Sequence, residues 1–326
     1  MNPARKNRSY HLKEDTVIII VGPTAVGKTA AAIRLAEYLH TDIISADSRQ
    51  CFKELNIGVA KPSPEELKAV HHYFIDSHSI HEEVTAALFE ELALEWTSAI
   101  FRARRTPALV APAPVASAPV VPPSVAIMVG GTGLYIRAFC EGLDAIPDVD
   151  PAIRLQIQQQ FEAGGIGWLQ AEVRQNDPDF YQAGEILNPQ RLMRALEVKW
   201  STGQSILSFR TPGKKERPFR IRKIGLELPK DILHQRINDR VDQMMEQGLL
   251  DEVKSLLPFR ENNALQTVGY RELFQYLDGT YTLEKAVEEI KKNTRRYAKR
   301  QLTWFRKDPE VHWIDARTPA ALFAAL

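Results

Sequence analysis

Eight consecutive residues near the start of the chain, Gly22-Pro23-Thr24-Ala25-Val26-Gly27-Lys28-Thr29, are spaced to bind phosphate. They fit the pattern G-x-x-x-x-G-K-[ST], the P-loop. Its glycines let the backbone turn tightly and aim N–H groups at phosphate oxygens. A helix behind such a loop adds the partial positive charge of its N-terminus. Lys28 supplies a point charge and Thr29 a hydroxyl for Mg²⁺. A di- or triphosphate is the expected ligand; the motif does not say which one.

Three further clusters carry candidate chemistry. Asp47-Ser48-Arg49-Gln50 follows a short apolar run. An Asp at the carboxyl end of a strand can hold Mg²⁺, act as a general base toward an acceptor, or cap a helix, and the residues alone leave these open. Gly130-Gly131-Thr132-Gly133-Leu134-Tyr135 also follows an apolar run and offers the Thr132 hydroxyl where the backbone can approach a ligand closely. Residues 291–307, KKNTRRYAKRQLTWFRK, hold eight Lys or Arg and no acid. In a helix Lys292, Arg295, Arg296 and Lys299 share one face, which is expected to meet a polyanion rather than only water. Arg236 and Arg240 stand one helical turn apart as a possible phosphate clamp. Gln190-Arg191-Leu192-Met193-Arg194 is a further local basic pair.

These residues need elements to hold them. The β-branched run Val17–Val21 reads as a buried strand and Thr29–Leu39 as a helix. Further strands are expected at Asp42–Ala46, His71–Asp76, Ala126–Val129, Arg220–Leu228 and Val311–Asp315. The alternation predicts an α/β fold, a P-loop NTPase-like core with a mainly parallel sheet and helices on both faces. The stretch from Asp144 to Gly203 differs: Ile153, Ile157 and Phe161 mark one helical face, and Leu192, Leu196 and Trp200 another. It reads as a helical insertion, giving a core over 16–142 and 206–315 interrupted by an insertion over 143–205. Helices are expected from Ile232 to Lys307, with breaks near Pro258 and Gly279. Five prolines in 108–124 exclude a helix and disfavour a central strand, so a surface loop is expected there.

Composition narrows the class. The chain has 326 residues, 44% apolar and 25% charged, as in globular proteins. A net charge of +1 gives no global nucleic-acid signature, so any polyanion site must come from local clustering. Two cysteines, Cys51 and Cys140, suggest no disulfide framework. No apolar run reaches membrane-spanning length, and the basic start (Arg5, Lys6, Arg8) lacks a following apolar segment. A cytoplasmic protein with a short frayed tail, no membrane contact and monomeric action is expected.

Taken together, GPTAVGKT, DSRQ with Asn56-Ile57-Gly58-Val59-Ala60-Lys61-Pro62 behind it, GGTGLY, NPQRLMRALEV, TVGYRE and NTRRYAKRQLTWFRK resemble the bacterial tRNA dimethylallyltransferase (tRNA isopentenyltransferase) family, in order from Thr16 to Asp315. The resemblance implies transfer of a dimethylallyl group from dimethylallyl diphosphate to N6 of the adenosine just 3′ of a tRNA anticodon, with Mg²⁺ required. It makes the P-loop the donor's diphosphate site, Asp47 the general base and Thr132 a contact of the reacting centre. It assigns tRNA contacts to Asp47, Ser48, Arg49, Gln50, Arg154 and Gln190 to Arg194. Two departures stand out: the proline-rich segment where relatives have a short connection, and Phe52 where the family commonly has Tyr. Rival readings are an ATP-dependent P-loop small-molecule kinase, an adenylate prenyltransferase, and a non-catalytic tRNA-binding protein; the kinase leaves the basic C-terminal helix unexplained.

Overall fold

The structure, a computed structural model, describes residues 14–105, 124–211 and 213–325. The proline-rich segment, apart from Ser124, and the basic N-terminal tail lie outside the described residues. The chain divides into two compact units, Met1–Glu141 with Glu216–Leu326, and Gly142–Lys215.

The first unit is an α/β core. Its strands are β1 (Thr16–Val21), β2 (Ile43–Ala46), β3 (His72–Tyr73), β4 (Val125–Gly130), β5 (Arg220–Glu227) and β6 (Val311–Asp315). All pair in parallel, in the order β3-β2-β4-β1-β5-β6. Among the described residues the helices are, in chain order, α1 (Lys28–Leu39), α2 (Pro64–Ala69), α3 (Ala86–Arg105), α4 (Gly133–Glu141), α5 (Pro151–Asn176), α6 (Pro178–Ala183), α7 (Pro189–Thr202), α8 (Lys230–Glu246), α9 (Leu249–Ser255), α10 (Tyr270–Leu277), α11 (Leu283–Phe305) and α12 (Pro319–Ala324).

A parallel sheet is covered on both faces, which is why its central strand reads as an unbroken apolar run. Alternate residues of β1 serve different cores. Val17, Ile19 and Val21 pack with Phe89 of α3, Phe139 of α4 and Ile290 of α11. Ile18 and Ile20 pack with Ala32 and Leu35 of α1 and Ile237 of α8. The strand expected over His71–Asp76 shrinks to two residues. Phe74 and Asp76 take left-handed φ angles of 66° and 51°, which end the extended path.

The second unit is helical, built from α5, α6, α7 and a short 3₁₀ turn at Ile206–Phe209. Ile157, Leu169, Val173, Phe180, Leu192, Ala195 and Leu196 form its own buried cluster, with Phe161, Trp200 and Ile206 packed against it. The 3₁₀ turn extends this unit past residue 205. Helix α5 breaks at Gly165, where φ is 65°.

Candidate active site

Three loops leave the carboxyl ends of β1, β2 and β4, which are neighbours in the order β2-β4-β1. In an open parallel sheet this edge is where ligands bind. The strand order therefore gathers the P-loop, the DSRQ turn and the GGTG turn, although about 100 residues of chain separate the first from the last.

The P-loop follows β1 directly. Gly22 sits at φ 143°, and a Cβ there would lie 2.5 Å from the Leu226 carbonyl oxygen of β5, so only glycine fits. Gly27 opens α1, with Lys28 as its first residue. The Lys28 ammonium donates to the carbonyls of Gly22 at 3.0 Å and Pro23 at 2.8 Å, which curls the side chain back over its own loop. An ammonium has three donors, so one remains for a ligand. Burial pulls the Lys28 pKa down to about 7; the Arg240 cation adds to the drop and Asp47 opposes it.

Asp47 begins the turn after β2. Its Oδ1 accepts from the backbone N–H of Arg49 at 2.9 Å and of Gln50 at 3.3 Å. The carboxylate thus holds the local turn, as a capping Asp does, and also lines the cavities described below. Thr132 Oγ1 accepts from Ser48 N–H at 3.0 Å and lies 3.3 Å from the Ser48 hydroxyl. The Thr132 N–H in turn donates to Ala46 O at 3.2 Å. The second and third motifs are locked together by these contacts.

Two cavities meet here. One, of about 760 Å³, is lined by Thr24, Ala25, Gly27, Lys28 and Thr29 of the P-loop. Its other walls mix apolar side chains, Ile57, Val59, Pro62, Leu67, Val129 and Met244, with polar ones such as Asn56, Lys61, Glu66, Asp76 and Gln243. The second, of about 390 Å³, is lined by Ser48, Arg49, Arg271, Thr294, Tyr297 and Arg300, among others. Thr24, Asp47 and Arg240 border both.

Several expected site residues have other duties. Gln50 spends its amide on Val59 O at 3.2 Å and Ala60 O at 2.9 Å, bracing the loop that walls the larger cavity. Arg240 reaches Thr24 Oγ1 at 3.4 Å beside both cavities. Arg236 instead approaches Val26 O at 3.5 Å and lines a separate cavity of about 180 Å³, so the two arginines do not close on one phosphate. In the second unit, Leu192 is fully buried and its side chain cannot meet a ligand; helical periodicity turns it into the core while Arg191 faces out. Met193 packs partly against the same cluster, and Gln190 is exposed. Arg154 and Arg194 converge on the buried carboxylate of Glu197, at 3.7 and 3.2 Å. Arg191 pairs with Glu185.

The basic face of α11 is also revised. Lys292 is held by Glu289 at 2.8 Å, one turn earlier on the same helix, and Arg295 donates to Asn238 Oδ1 of α8 at 2.6 Å. Of the four residues, Lys292 alone has a carboxylate partner among the described residues, and Arg296 and Lys299 reach neither a carboxylate nor α8. The face of α11 turned to the site is a different one: Thr294, Tyr297 and Arg300 line the smaller cavity, and Gln301 bonds into the P-loop. Burial raises the Tyr297 phenol well above its ordinary pKa, so it stays a neutral hydrogen-bonding group. Their i, i+3, i+6, i+7 spacing is present in the sequence, but the surrounding lysines and arginines mask it. Both cysteines are buried free thiols.

Fold and site define a protein of the P-loop class, with a carboxylate and a hydroxyl set beside the phosphate loop. Comparison with known proteins narrows this. The IPP transferase family matches residues 122–308 and the isopentenyl transferase family residues 15–98. The chain is 46% identical over 299 residues to tRNA dimethylallyltransferase 1 of Bacteroides thetaiotaomicron, covering 92% of this chain and 91% of that protein. It is 46% identical to tRNA dimethylallyltransferase of Christiangramia forsetii, covering 92% and 93%. Among solved structures, full-length tRNA isopentenylpyrophosphate transferase from Bacillus halodurans aligns with a TM-score of 0.65 at 34% identity, over 96% of this chain and 97% of that one. The chain belongs to the tRNA dimethylallyltransferase family.

Proposed function

We propose that the protein transfers a dimethylallyl group from dimethylallyl diphosphate to N6 of the adenosine 3′-adjacent to the anticodon of tRNA, releasing diphosphate. The observation that carries this reading is the meeting of the two cavities at Thr24, Asp47 and Arg240. The larger cavity offers a cationic phosphate loop and, among mixed walls, the apolar side chains of Ile57, Val59, Leu67, Val129 and Met244, which suit a diphosphate joined to a five-carbon chain. The smaller offers an aromatic ring and arginines, which suit a base extruded from an RNA stack with its backbone. Asp47 stands at the junction, where an exocyclic amine would meet the allylic carbon.

In this reading N6 attacks the allylic carbon, the C–O bond to diphosphate breaks, and the N6 proton passes to Asp47. Lys28, Arg240 and the loop N–H groups take the charge that builds on the departing oxygen. Thr29 lines the same cavity as Lys28, and no cluster of three or more His, Cys, Asp or Glu able to hold a metal occurs among the described residues. A hydroxyl plus diphosphate oxygens is an all-oxygen set of the kind Mg²⁺ accepts, so Thr29 is assigned as its protein ligand. Bound there, Mg²⁺ would neutralise diphosphate charge. No helix among the described residues is long and apolar enough to cross a membrane. Action as a monomer belongs to this reading, and a tRNA substrate supports a cytoplasmic site of action.

The test is incubation of unmodified tRNA with the protein and labelled dimethylallyl diphosphate, followed by mass spectrometry of the nucleosides. Isopentenyladenosine carrying the label is expected. Tight ATP binding with phosphoryl transfer, and no labelled nucleoside, would replace this reading with the kinase.

Two further outcomes are expected. The first concerns protons. With Lys28 titrating at about 7 before the donor binds, it is mostly neutral at pH 8, and an incoming diphosphate favours its charged form. Donor binding at pH 8 should therefore take up a proton. Affinity should be greatest below pH 7 and weaken as pH rises above it. Calorimetry in buffers of different ionisation enthalpy reads the uptake directly; a Lys28→Met variant with the same uptake would place the titration elsewhere. The second concerns salt. Arg296→Gln with Lys299→Gln should weaken tRNA binding and reduce the slope of log K against log salt by about 1.4–1.8, at roughly 0.7–0.9 for each phosphate no longer neutralised. Adding Lys292→Gln should change the slope little, because Glu289 already neutralises that cation.

A further inference from the structure

Gln301 of α11 is buried, and its side-chain amide joins two loops that the sequence keeps far apart. Its Oε1 accepts from the Thr24 N–H of the P-loop at 2.8 Å. Its Nε2 donates to the Gly131 carbonyl of the GGTG turn at 3.0 Å. A Cβ on Gly131 would lie 2.0 Å from that nitrogen, so the close approach depends on glycine. A primary amide accepts at one loop and donates at another through two atoms on one planar group, which neither a carboxylate nor an apolar side chain can do. From Gly131 the chain of contacts continues through Thr132 Oγ1, which accepts from the Ser48 N–H at 3.0 Å, to Asp47 next in sequence.

We propose that Gln301 is a positioning residue for the transfer. It fixes the phosphate loop at Thr24 in register with the turn that carries Thr132 and holds Asp47. The distance between the donor's diphosphate and the base is thereby set by a side chain that touches neither reacting group. Thr24 borders both cavities, so a shift of the loop at this residue displaces the donor relative to the acceptor. Reaction rates depend steeply on such placement. The inference rests on the functional reading above.

Two variants test it. Gln301→Leu removes both bonds at similar volume. Gln301→Glu keeps an acceptor for the Thr24 N–H and loses the donor to Gly131. For Gln301→Leu, the KM for dimethylallyl diphosphate should rise about tenfold and kcat fall about tenfold or more, the scale of a lost hydrogen bond at each end. For Gln301→Glu, the donor KM should recover toward the wild-type value while kcat stays low. The tRNA dissociation constant should remain within about twofold in both. Unchanged KM and kcat in Gln301→Leu would overturn the proposal. So would a loss of tRNA affinity and melting temperature in proportion to activity, which marks a mere brace. If Gln301→Leu does not fold, the split between KM and kcat in Gln301→Glu decides alone, and its absence counts against the role. A wild type that binds pyrophosphate but prenylates no tRNA would overturn the functional reading and this role with it. Normal wild-type transfer with indifferent variants overturns this role only.

Discussion

Asp47→Asn is expected to fold like the wild type, bind tRNA and donor nearly as tightly, and turn over about 10²–10⁴-fold more slowly, the usual cost of losing a general base. The turn after β2 explains why folding is spared. The Asp47 oxygen that accepts from the Arg49 and Gln50 N–H groups has an equivalent in the Asn amide, so the backbone keeps its cap. What disappears is the capacity to take a proton from an aromatic exocyclic amine, which is too weak a nucleophile to dispense with one. Single-turnover kinetics with saturating tRNA and donor isolates the chemical step. A variant with normal single-turnover rate and poor tRNA affinity would reassign Asp47 to recognition.

Lys28→Ala is expected to cut turnover by about 10²–10³-fold, in line with removing one preorganised donor from a developing anion, roughly 3–4 kcal/mol. The structure adds a reason for the size of the effect. Lys28 is buried, so its charge acts in a poorly screened environment, and its Nζ is already oriented by two loop carbonyls. Little reorganisation remains when the diphosphate departs. The same carbonyls lose their partner in the variant, so part of the loss should appear as a higher KM for the donor. Unchanged kcat and KM would mean that the loop is not the donor site. Circular dichroism and melting of the variant separate this from collapse of the loop.

How much of this is legible in the sequence depends on the range of the interactions. The P-loop is a local device: strand, glycines, lysine and helix lie within two dozen residues, so spacing alone reveals it. The buried strands show as apolar runs because both sheet faces are covered. Strand order is not a local property, and nothing in the sequence states that β4 lies between β2 and β1; without that, Asp47 and Thr132 are separate clusters, each open to a structural reading. The family resemblance links them, and the Thr132 hydroxyl on Ser48 supplies the physical link. Charge patterning misleads at α11. Lysines and arginines repeat along one face, yet Lys292 and Arg295 are engaged by Glu289 and Asn238, while the neighbouring face meets the site. Gln301 leaves no local signal, since its partners at Thr24 and Gly131 lie 277 and 170 residues away. Leu192 falls inside a binding motif because of its neighbours, although its helical phase marks it as core.

The all-parallel sheet has one more consequence, which concerns where this chain can change length. Every strand leaves its loop at one rim and receives its incoming connection at the other. Ser124, the residue before β4, donates from its N–H to Asp15 at 2.9 Å and places its hydroxyl 3.3 Å from the Phe101 carbonyl near the end of α3. That is the rim away from the chemistry, about 20 Å from Gly130 at roughly 3.3 Å per strand residue. Adjacency in sequence to a reactive motif is therefore no measure of influence on it. A change of length at the receiving rim leaves the phosphate cradle untouched, whereas one residue gained between Gly22 and Thr29 would break it. The polarity of the sheet gives the protein one rim that carries the chemistry and one that receives the incoming connections.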